Sequence, residues 1–233
     1  VDAFSSAFWD FAVVGETISG VPMTNYYRPV KTVMYSIAFM LGGTSPWAYH
    51  LFGVLFHIVA VLALFGILLE LSFSSRTSFI VSLLFAVHPV HVEAVTWIAG
   101  SPDVVAGSFY FIAIWAYLRF LSQLRRSFLW ASALAFLFAL FSKEMAVTLP
   151  LLLPLIASLK TGRSPRLYIR SIGEWIPYIV AIGIYGFLRV SALGGVATSR
   201  VVEAGWVDWA SLGLVVLVRY IRYSLIPFPL HVY

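Results

Sequence analysis

Apolar runs about 20 residues long recur along this chain and are separated by short polar segments. The clearest run, WAYHLFGVLFHIVAVLALFGILLEL, covers residues 47–71, and similar runs cover 171–191 and 206–228. A hydrocarbon core roughly 30 Å thick requires about 20 apolar residues in a helix. Between 127 and 160, two shorter runs of about 15 residues each reach only about 22 Å. The pattern predicts an all-α, polytopic transmembrane helical bundle, with about seven passes or half-passes within 47–228.

The composition favours the same class of protein. Hydrophobic residues make up 61% of the chain and charged residues 11%, whereas a soluble domain is about 25% charged. We therefore expect a single multi-pass membrane domain over residues 1–233, with an outer loop and an interfacial helix in residues 1–46. Because the chain begins at Val1 without an initiator methionine or a signal segment, it is expected to be a fragment. The absence of cysteine excludes disulfides and thiolate metal sites.

Basic residues mark the connections between the apolar runs. By the positive-inside rule these connections share the cytoplasmic side, so the chain must cross and return between them. The turn of residues 88–103 and the pair Lys143-Glu144 are therefore predicted on the non-cytoplasmic side. A nucleic-acid partner is not expected, because the net charge of +5 is spread over short loops. The basic connections contain Arg76, then Arg119, Arg125 and Arg126, then Lys160, Arg163, Arg166 and Arg170.

The most polar stretch between two apolar runs is FAVHPVHVEAVTWIAGSPD, residues 85–103. Because a proline after His88 ends a helix, His88 and His91 could cap a re-entrant turn by bonding to freed carbonyls. His88, His91 and Glu93, at spacings of three and two, could also hold a metal, although they do not form the HExxH pattern. In the third interpretation these side chains and Asp103 bind a polar substrate and transfer protons.

Two further elements carry charge on the predicted outer side. Lys143 and Glu144 are adjacent, so on a helix their side chains diverge by about 100° and each is expected to have its own partner. The alternative is a pair that extends to the membrane surface. In Tyr27-Arg28-Pro29, the planar fork of arginine suits a lipid phosphate. The alternative is a simple interfacial anchor.

Four segments, YYRPV, HPVHVEAVTWIAGSPDVVAG, FSKEMAVTLPLLLPL and RYIRYSLIPFPLHVY, follow one another across roughly residues 5–233. In this order they resemble the membrane part of the transmembrane and tetratricopeptide-repeat O-mannosyltransferases and their prokaryotic relatives. The resemblance implies a glycosyltransferase C-like fold. It also implies transfer of a mannose-like sugar from a polyprenyl- or dolichyl-phosphate donor to an acceptor hydroxyl on the non-cytoplasmic face. The implied acceptor is a protein serine or threonine, and the expected location is a prokaryotic plasma membrane rather than the endoplasmic reticulum.

The resemblance, together with the chemistry of the residues, assigns roles to single positions. The polar turn is expected to bind the sugar and the acceptor and to carry out catalysis. Cations are expected to stabilise the departing lipid phosphate. The expected catalytic residues are His88, His91, Glu93 and Asp103; the expected donor-phosphate residues are Tyr27, Arg28, Lys143 and Arg222, with Glu144 as acceptor contact or structural support.

Two departures from the family pattern limit these assignments. The family usually has glycine, arginine, a small residue and aspartate after the histidines, whereas GSPD keeps Asp103 and has Ser101 in place of the arginine. Family members also carry an acidic pair in the first outer loop that is thought to include the catalytic base. That pair is expected before Val1, because Asp2 and Asp10 do not match it. No cofactor is implied with certainty, and a divalent cation remains open.

Two other functions fit the hydrophobic composition. A proton-coupled transporter would use ionisable groups within the membrane, but its binding groups are usually near the midplane. His50 and His57, seven residues apart on one helix face, are instead expected to pack or to hydrogen-bond between helices. A non-catalytic membrane assembly subunit would need no site. The predicted gathering of charge on one face favours the glycosyltransferase.

Overall fold

The computed structural model describes residues 27–193 and 206–225. Within these ranges the chain forms α-helices and 3₁₀ turns with no strand, which confirms the predicted all-α class. The expected outer loop before residue 27, with Asp2 and Asp10, lies outside the described residues. The helices are α1 (Pro29–Gly42), α2 (Pro46–Glu70), α3 (Ser75–Ala86), α4 (Val92–Thr96), α5 (Ser101–Gln123), α6 (Arg126–Ser142), α7 (Leu149–Thr161), α8 (Pro165–Arg170), α9 (Ile172–Leu193) and α10 (Trp206–Leu225). The 3₁₀ turns are Pro89–His91, Ile98–Gly100 and Glu144–Thr148.

The described residues contain four helical segments long and apolar enough to cross a membrane, and a fifth if one bent pair is a single span. Helix α6 has 17 residues and reaches only about 26 Å. Helix α10 is long enough but carries Asp208, Arg219 and Arg222. The prediction of a polytopic bundle is thus confirmed, and these two helices correspond to the expected shorter or charged passes. The four segments are Pro46–Glu70, Ile98–Gln123, Glu144–Thr161 and Ile172–Leu193.

The bent pair consists of α3 and the segment Pro89–Thr96, which meet at 48°. Pro89 takes the first position of a 3₁₀ turn, where its missing N–H is not needed by a helix. The helix therefore ends before Pro89, as the sequence predicts. The bend turns the chain back toward α5 and places His88, His91 and Glu93 in a compact turn.

Helix α5 is the centre of the bundle and packs against α2, α6 and α7. Its side chains Ala113 and Leu118 are fully buried, as is Phe136 on α6. The hydroxyl of Ser132 on α6 donates to the Ala113 carbonyl at 2.6 Å and is 2.7 Å from the Tyr178 hydroxyl of α9. Small residues and such interhelical hydrogen bonds replace the hydrophobic effect as the attraction between helices in lipid. They fix the register of α5, α6 and α9.

Ion pairs occupy the two ends of this bundle. At the turn end, which we define by residues 88–103 and 143–148, Asp103 pairs with Lys143. At the basic end, which we define by Glu70, Arg119 and Lys160, Glu70 pairs with both cations. The structure therefore separates the two sets of residues that the sequence predicts on opposite sides. Which end faces the cytoplasm remains a prediction.

Candidate functional site

Arg28 at the start of α1 pairs with Glu144 in the turn after α6. Its Nη2 lies 3.0 Å from Oε1 and 3.2 Å from Oε2 of Glu144, and its Nε lies 3.3 Å from Oε2. The two side chains keep 17% and 35% of their exposure. Two nitrogens of the guanidinium thus face both carboxylate oxygens, a geometry that is stronger and more directional than a single charge contact. This pair fastens α1 to the turn end.

Tyr27 holds the entry to α1 in place. The side chain is 1% exposed, and its ring lies 6.2 Å from the rings of Phe141 and Tyr185. Burial raises the pKa of the Tyr27 hydroxyl, as does the neighbouring Tyr185. The structure gives Tyr27 a packing role that fixes the adjacent Arg28. Its expected contact with a donor phosphate is not tested and stays a prediction.

Lys143 and Glu144 have different partners, as their adjacency predicts. Lys143 is extended between α6 and the 3₁₀ turn, so the two side chains diverge. The Lys143 ammonium donates to Asp103 at the start of α5, while Glu144 accepts from Arg28. The alternative of a pair extending jointly to the membrane surface is not supported. The site thus has two ion pairs that join α5, α6 and α1.

Lys31 is a further cation of the turn end, and sequence reasoning did not include it among the site residues. Its ammonium lies 5.1 Å from the ring centroid of Tyr35, within the range of a cation–π contact. Burial lowers the pKa of Lys31, and the like charge of Arg28 lowers it further. Within residues 27–193, Lys31 forms no ion pair with a carboxylate. Lys31 follows Arg28 by about one helical turn, and this spacing could have indicated from the sequence that it belongs to the same site.

The neighbouring tyrosine ties α1 to the turn. The Tyr35 hydroxyl donates to the carbonyl of Ile98 and lies 3.1 Å from the hydroxyl of Ser101. Burial raises the pKa of Tyr35, an effect that the hydrogen bond with Ser101 partly offsets. Ser101, which stands where the related family usually has arginine, is therefore a buried contact of α1.

The histidines of the polar turn serve its structure. The Nδ1 atom of His88 accepts from the backbone N–H of Val90 at 3.2 Å, so His88 caps the 3₁₀ turn by accepting an N–H rather than by bonding to a carbonyl. The carbonyl of Ala86 instead accepts from Nε2 of His57 at 3.0 Å, as the predicted interhelical role of His57 requires. His91 packs on Phe85, with ring centroids 4.2 Å apart. His88 thus caps the turn, but the interpretation that His88 and His91 bond to freed carbonyls was wrong in its mechanism, and His91 makes no capping hydrogen bond.

A close backbone approach seats this turn on α2. A Cβ at Gly53 would lie 2.5 Å from the carbonyl oxygen of Val95, a distance that real contacts do not reach. Gly53 therefore lets α4 pack directly against α2. The absence of a side chain at Gly53 therefore determines how closely the turn with His91 and Glu93 packs against α2.

Two expected site residues take no part in the described ion pairs. Glu93 is exposed in the first turn of α4 and forms no ion pair within the described part of the chain. Arg222 is exposed on α10, and the structure does not bring it to the turn end. Among the described residues, no three His, Asp or Glu side chains converge on a point where they could hold a metal ion. The described donor set therefore does not indicate a cation site.

The turn end brings charges of both signs together. Arg28, Lys31 and Lys143 lie there with the carboxylates of Glu144 and Asp103, and Glu93 is a third, exposed carboxylate of the same turn. Asp103 keeps 48% of its side-chain exposure, so a polar molecule can reach this end. Such an arrangement suits a ligand that is anionic at one point and rich in hydroxyl groups elsewhere.

Comparison with known proteins relates this chain to one family. The family model described as dolichyl-phosphate-mannose-protein mannosyltransferase matches residues 27–186. The chain is 42% identical over 94 residues to "Protein O-mannosyl-transferase tmtc2" of Xenopus laevis, which covers 40% of this chain and 11% of that protein. It is 34% identical over 116 residues to "Protein O-mannosyl-transferase TMTC3" of Homo sapiens, covering 50% and 12%.

A third relative, "Protein O-mannosyl-transferase TMTC1" of Mus musculus, is 33% identical over 121 residues, which cover 52% of this chain and 12% of that protein. The matched segment is thus only about an eighth or less of the length of these three curated relatives. No solved structure matches the chain.

Proposed function

We propose, from the premise that this chain belongs to the dolichyl-phosphate-mannose-protein mannosyltransferase family, that it forms membrane-embedded parts of a glycosyltransferase site. The donor would be a polyprenyl- or dolichyl-phosphate sugar, mannose-like, and the acceptor a protein serine or threonine hydroxyl. The turn end would face the non-cytoplasmic side of a plasma membrane, of prokaryotic type. The proposal includes no metal or other cofactor.

One observation carries the proposal. The charged side chains that sequence separates by up to 116 positions, from Arg28 to Glu144, come together at one end of the bundle. The described ion pairs lie at the ends of helices and not at their middle, unlike the binding groups of most transporters. A lipid-linked donor presents its phosphate near the membrane surface, where such an end lies.

The cations would receive the phosphate. Glu144 holds the guanidinium of Arg28 through its Nε and Nη2 nitrogens, so the planar fork that suits a phosphate is fixed in orientation. Lys31 gains most from an anion, because burial and Arg28 both disfavour its charge in the unliganded protein. Lys143, held by Asp103, would be the third contact. Tyr27 would position Arg28, while Arg222 remains a proposed phosphate contact only if α10 approaches the turn end in the complete protein.

The polar turn would receive the sugar and the acceptor. Exposed carboxylates accept hydrogen bonds from hydroxyl groups, and Glu93 and Asp103 are the two such groups of this turn. Glu93 is the one without an ion pair in the described ranges, so it would orient the acceptor hydroxyl or take its proton. His88 and His91 would shape the turn and contact the sugar.

In the reaction, the acceptor oxygen forms a bond to the anomeric carbon while the bond from that carbon to the phosphate oxygen breaks. The phosphate leaves with the electron pair, and the proton of the hydroxyl passes to a carboxylate. The contribution of Arg28, Lys31 and Lys143 would be to stabilise the negative charge that develops on the leaving oxygen. The relatives' printed names support the transferase class.

The test uses the full-length protein and measures transfer of mannose from a polyprenyl-phosphate donor to an acceptor peptide. Lys31→Gln should raise the KM for the donor about tenfold, the loss of one charge-assisted contact of roughly 1.5 kcal/mol, and leave the KM for the peptide unchanged. Arg166→Gln removes an exposed cation from α8, outside the proposed site, and should change neither. Wild-type turnover by the Lys31 variant at subsaturating donor would remove Lys31 from the site. No transfer by the wild-type protein with any lipid-phosphate sugar would overturn the function itself.

A further inference from the structure

A groove of about 700 Å³ opens at the basic end, away from the proposed site. Its apolar wall is formed by Val59, Ala63 and Gly66 of α2 and by Ile112 and Trp115 of α5. From Val59 to Glu70, α2 rises about 16 Å, roughly half the thickness of a hydrocarbon core. The groove therefore has the length of a lipid chain in one leaflet.

Gly66 and Trp115 give the wall its shape. A Cβ at Gly66 would lie 2.8 Å from the indole ring of Trp115, so the ring rests directly on the backbone of α2. Neither residue takes part in the proposed sugar transfer. Trp115 is partly exposed, and its ring also faces the guanidinium of Arg119 at 6.0 Å.

The mouth of the groove is charged and polar. Nη1 of Arg119 lies 3.2 Å from Oε1 of Glu70, and Lys160 donates at 2.8 Å both to Oε2 and to the backbone carbonyl of Glu70. The hydroxyl of Ser122 donates to the same carboxylate at 2.7 Å. Two cations against one carboxylate leave one net positive charge.

The carboxylate of Glu70 would not repel an anion at this mouth, because its charge is neutralised by its own hydrogen-bond donors. Glu70 is 14% exposed and accepts from all three donors, whereas the side chain of Arg119 keeps 37% of its exposure. The outward side of the mouth is therefore arginine, with N–H groups beyond the one that Glu70 takes. Arg163, Arg166 and Arg170 follow on the next connection and add to the positive field.

We propose that this groove binds an anionic phospholipid. The phosphate lies against Arg119 and Lys160, and one acyl chain lies along the wall between Ala63 and Trp115. Basic pockets between transmembrane helices hold lipid headgroups in this way. The lipid is not the sugar donor, because the groove and the proposed site lie at opposite ends of α5. The proposal is independent of the transferase function.

The experiment measures quenching of Trp115 fluorescence by lipids with brominated acyl chains. The full-length protein is reconstituted in phosphatidylcholine vesicles containing 20 mol% brominated phosphatidylglycerol, or the same fraction of brominated phosphatidylcholine. Because the chain has eight tryptophans, the Trp115 signal is the difference between each protein and its Trp115→Phe counterpart. One net positive charge predicts about fivefold preference for the anionic lipid.

Charge variants separate this groove from the general basic surface. Arg119→Gln with Lys160→Gln should abolish the preference, whereas Arg163→Gln with Arg166→Gln, which removes the same charge outside the groove, should leave it within about twofold. Glu70→Gln removes the negative charge that faces both cations and should raise the preference, which keeps the proposal testable if the first double variant fails to fold. Equal quenching by both lipids in the wild-type protein would overturn the proposal. So would an equal loss in both double variants, or a lower preference in the Glu70 variant.

Discussion

Arg28 and Glu144 are 116 positions apart in sequence, yet two nitrogens of the arginine contact both oxygens of the glutamate. Arg28 lies at the start of α1 and Glu144 lies directly after α6. The contact therefore joins the first described helix to the turn end. Both side chains are largely enclosed. The pair therefore has two separable consequences, one for stability and one for the placement of the arginine.

The first prediction concerns stability. Arg28→Gln and Glu144→Gln should each lower the free energy of unfolding, and the double variant should lose less than the sum because the second change finds no partner left to break. The coupling should be about 1–3 kcal/mol. It would be measured by denaturation of the purified protein in mixed micelles. Lys31→Gln, on the same helix but without a carboxylate partner in the described ranges, is the control and should show no coupling with Glu144→Gln.

The second prediction separates contact with phosphate from support of the fold. Arg28→Ala should weaken donor binding or slow transfer about ten- to a hundred-fold, the loss of a charge-assisted contact of roughly 1.5–3 kcal/mol. Arg28→Lys should restore part of this, because it keeps the charge but not the fork. Glu144→Gln keeps the arginine and should raise the KM for the donor less than threefold. If Glu144→Gln instead matches Arg28→Ala, the arginine acts through its anchor and the phosphate is held elsewhere.

The ion pairs at the turn end show which contacts can be predicted from the sequence and which cannot. Adjacency indicated that Lys143 and Glu144 need separate partners, on the premise that neighbouring positions on a helix diverge. The separate partners are confirmed, but Lys143 is extended rather than helical, so the premise was wrong. The partners could not be named, since Asp103 and Arg28 are 40 and 116 positions away and their selection depends on how α1 and α5 pack against α6. Neighbouring residues determine the local geometry. Which distant residue becomes the partner of an ion pair depends on how the helices pack.

The histidines illustrate the same limit. The proline after His88 predicted a helix end, and the structure has one there. The sequence did not show that the carbonyl of Ala86 would be bonded by His57, 29 positions earlier, because that contact depends on the packing of α2 against α3. Lys31 was not assigned to the site for a different reason. The sequence shows that Lys31 is close to Arg28, but it does not show that Lys31 is partly buried.

The third prediction follows from that burial of Lys31. Its pKa is lowered in the folded protein, so the unfolded chain binds the proton more tightly and the charge destabilises the native state. This cost is present in full below the lowered pKa and disappears as the pH rises through the unfolded value of about 10.4. Lys31→Gln should therefore be more stable than the wild type at pH 7.5, with the difference shrinking toward pH 11.

Measurement of unfolding midpoints for both proteins across this pH range would check the sign. Arg166→Gln, at an exposed position of α8, should show no such trend. A Lys31 variant that is less stable at neutral pH and equal at high pH would mean that the contact with Tyr35 outweighs desolvation.

The fourth prediction uses two glycines in apolar helices. Gly53→Ala would place a methyl group 2.5 Å from the Val95 carbonyl, so α4 must shift away from α2, at a cost of about 1–3 kcal/mol for overpacking. Gly107→Ala on α5 meets nothing within 4 Å and should be neutral or stabilising by up to about 1 kcal/mol. Thermal unfolding of the two variants would show the difference. Equal stability of both would mean that the turn does not rest on Gly53.

The last prediction concerns sidedness. The turn end and the basic end should face opposite sides of the membrane, with the basic end in the cytoplasm, because the short connections there carry most of the arginines. The chain has no cysteine, so single cysteines introduced into a cysteine-free full-length protein can be labelled without background. Glu93 and Arg125 suit the purpose, since both are exposed, whereas Ser101 is buried. In intact cells a membrane-impermeant maleimide should modify Glu93→Cys at once and Arg125→Cys only after permeabilisation. The opposite order would invert the bundle and place the proposed sugar site on the cytoplasmic side, while modification of both from outside would contradict the separation of the two ends.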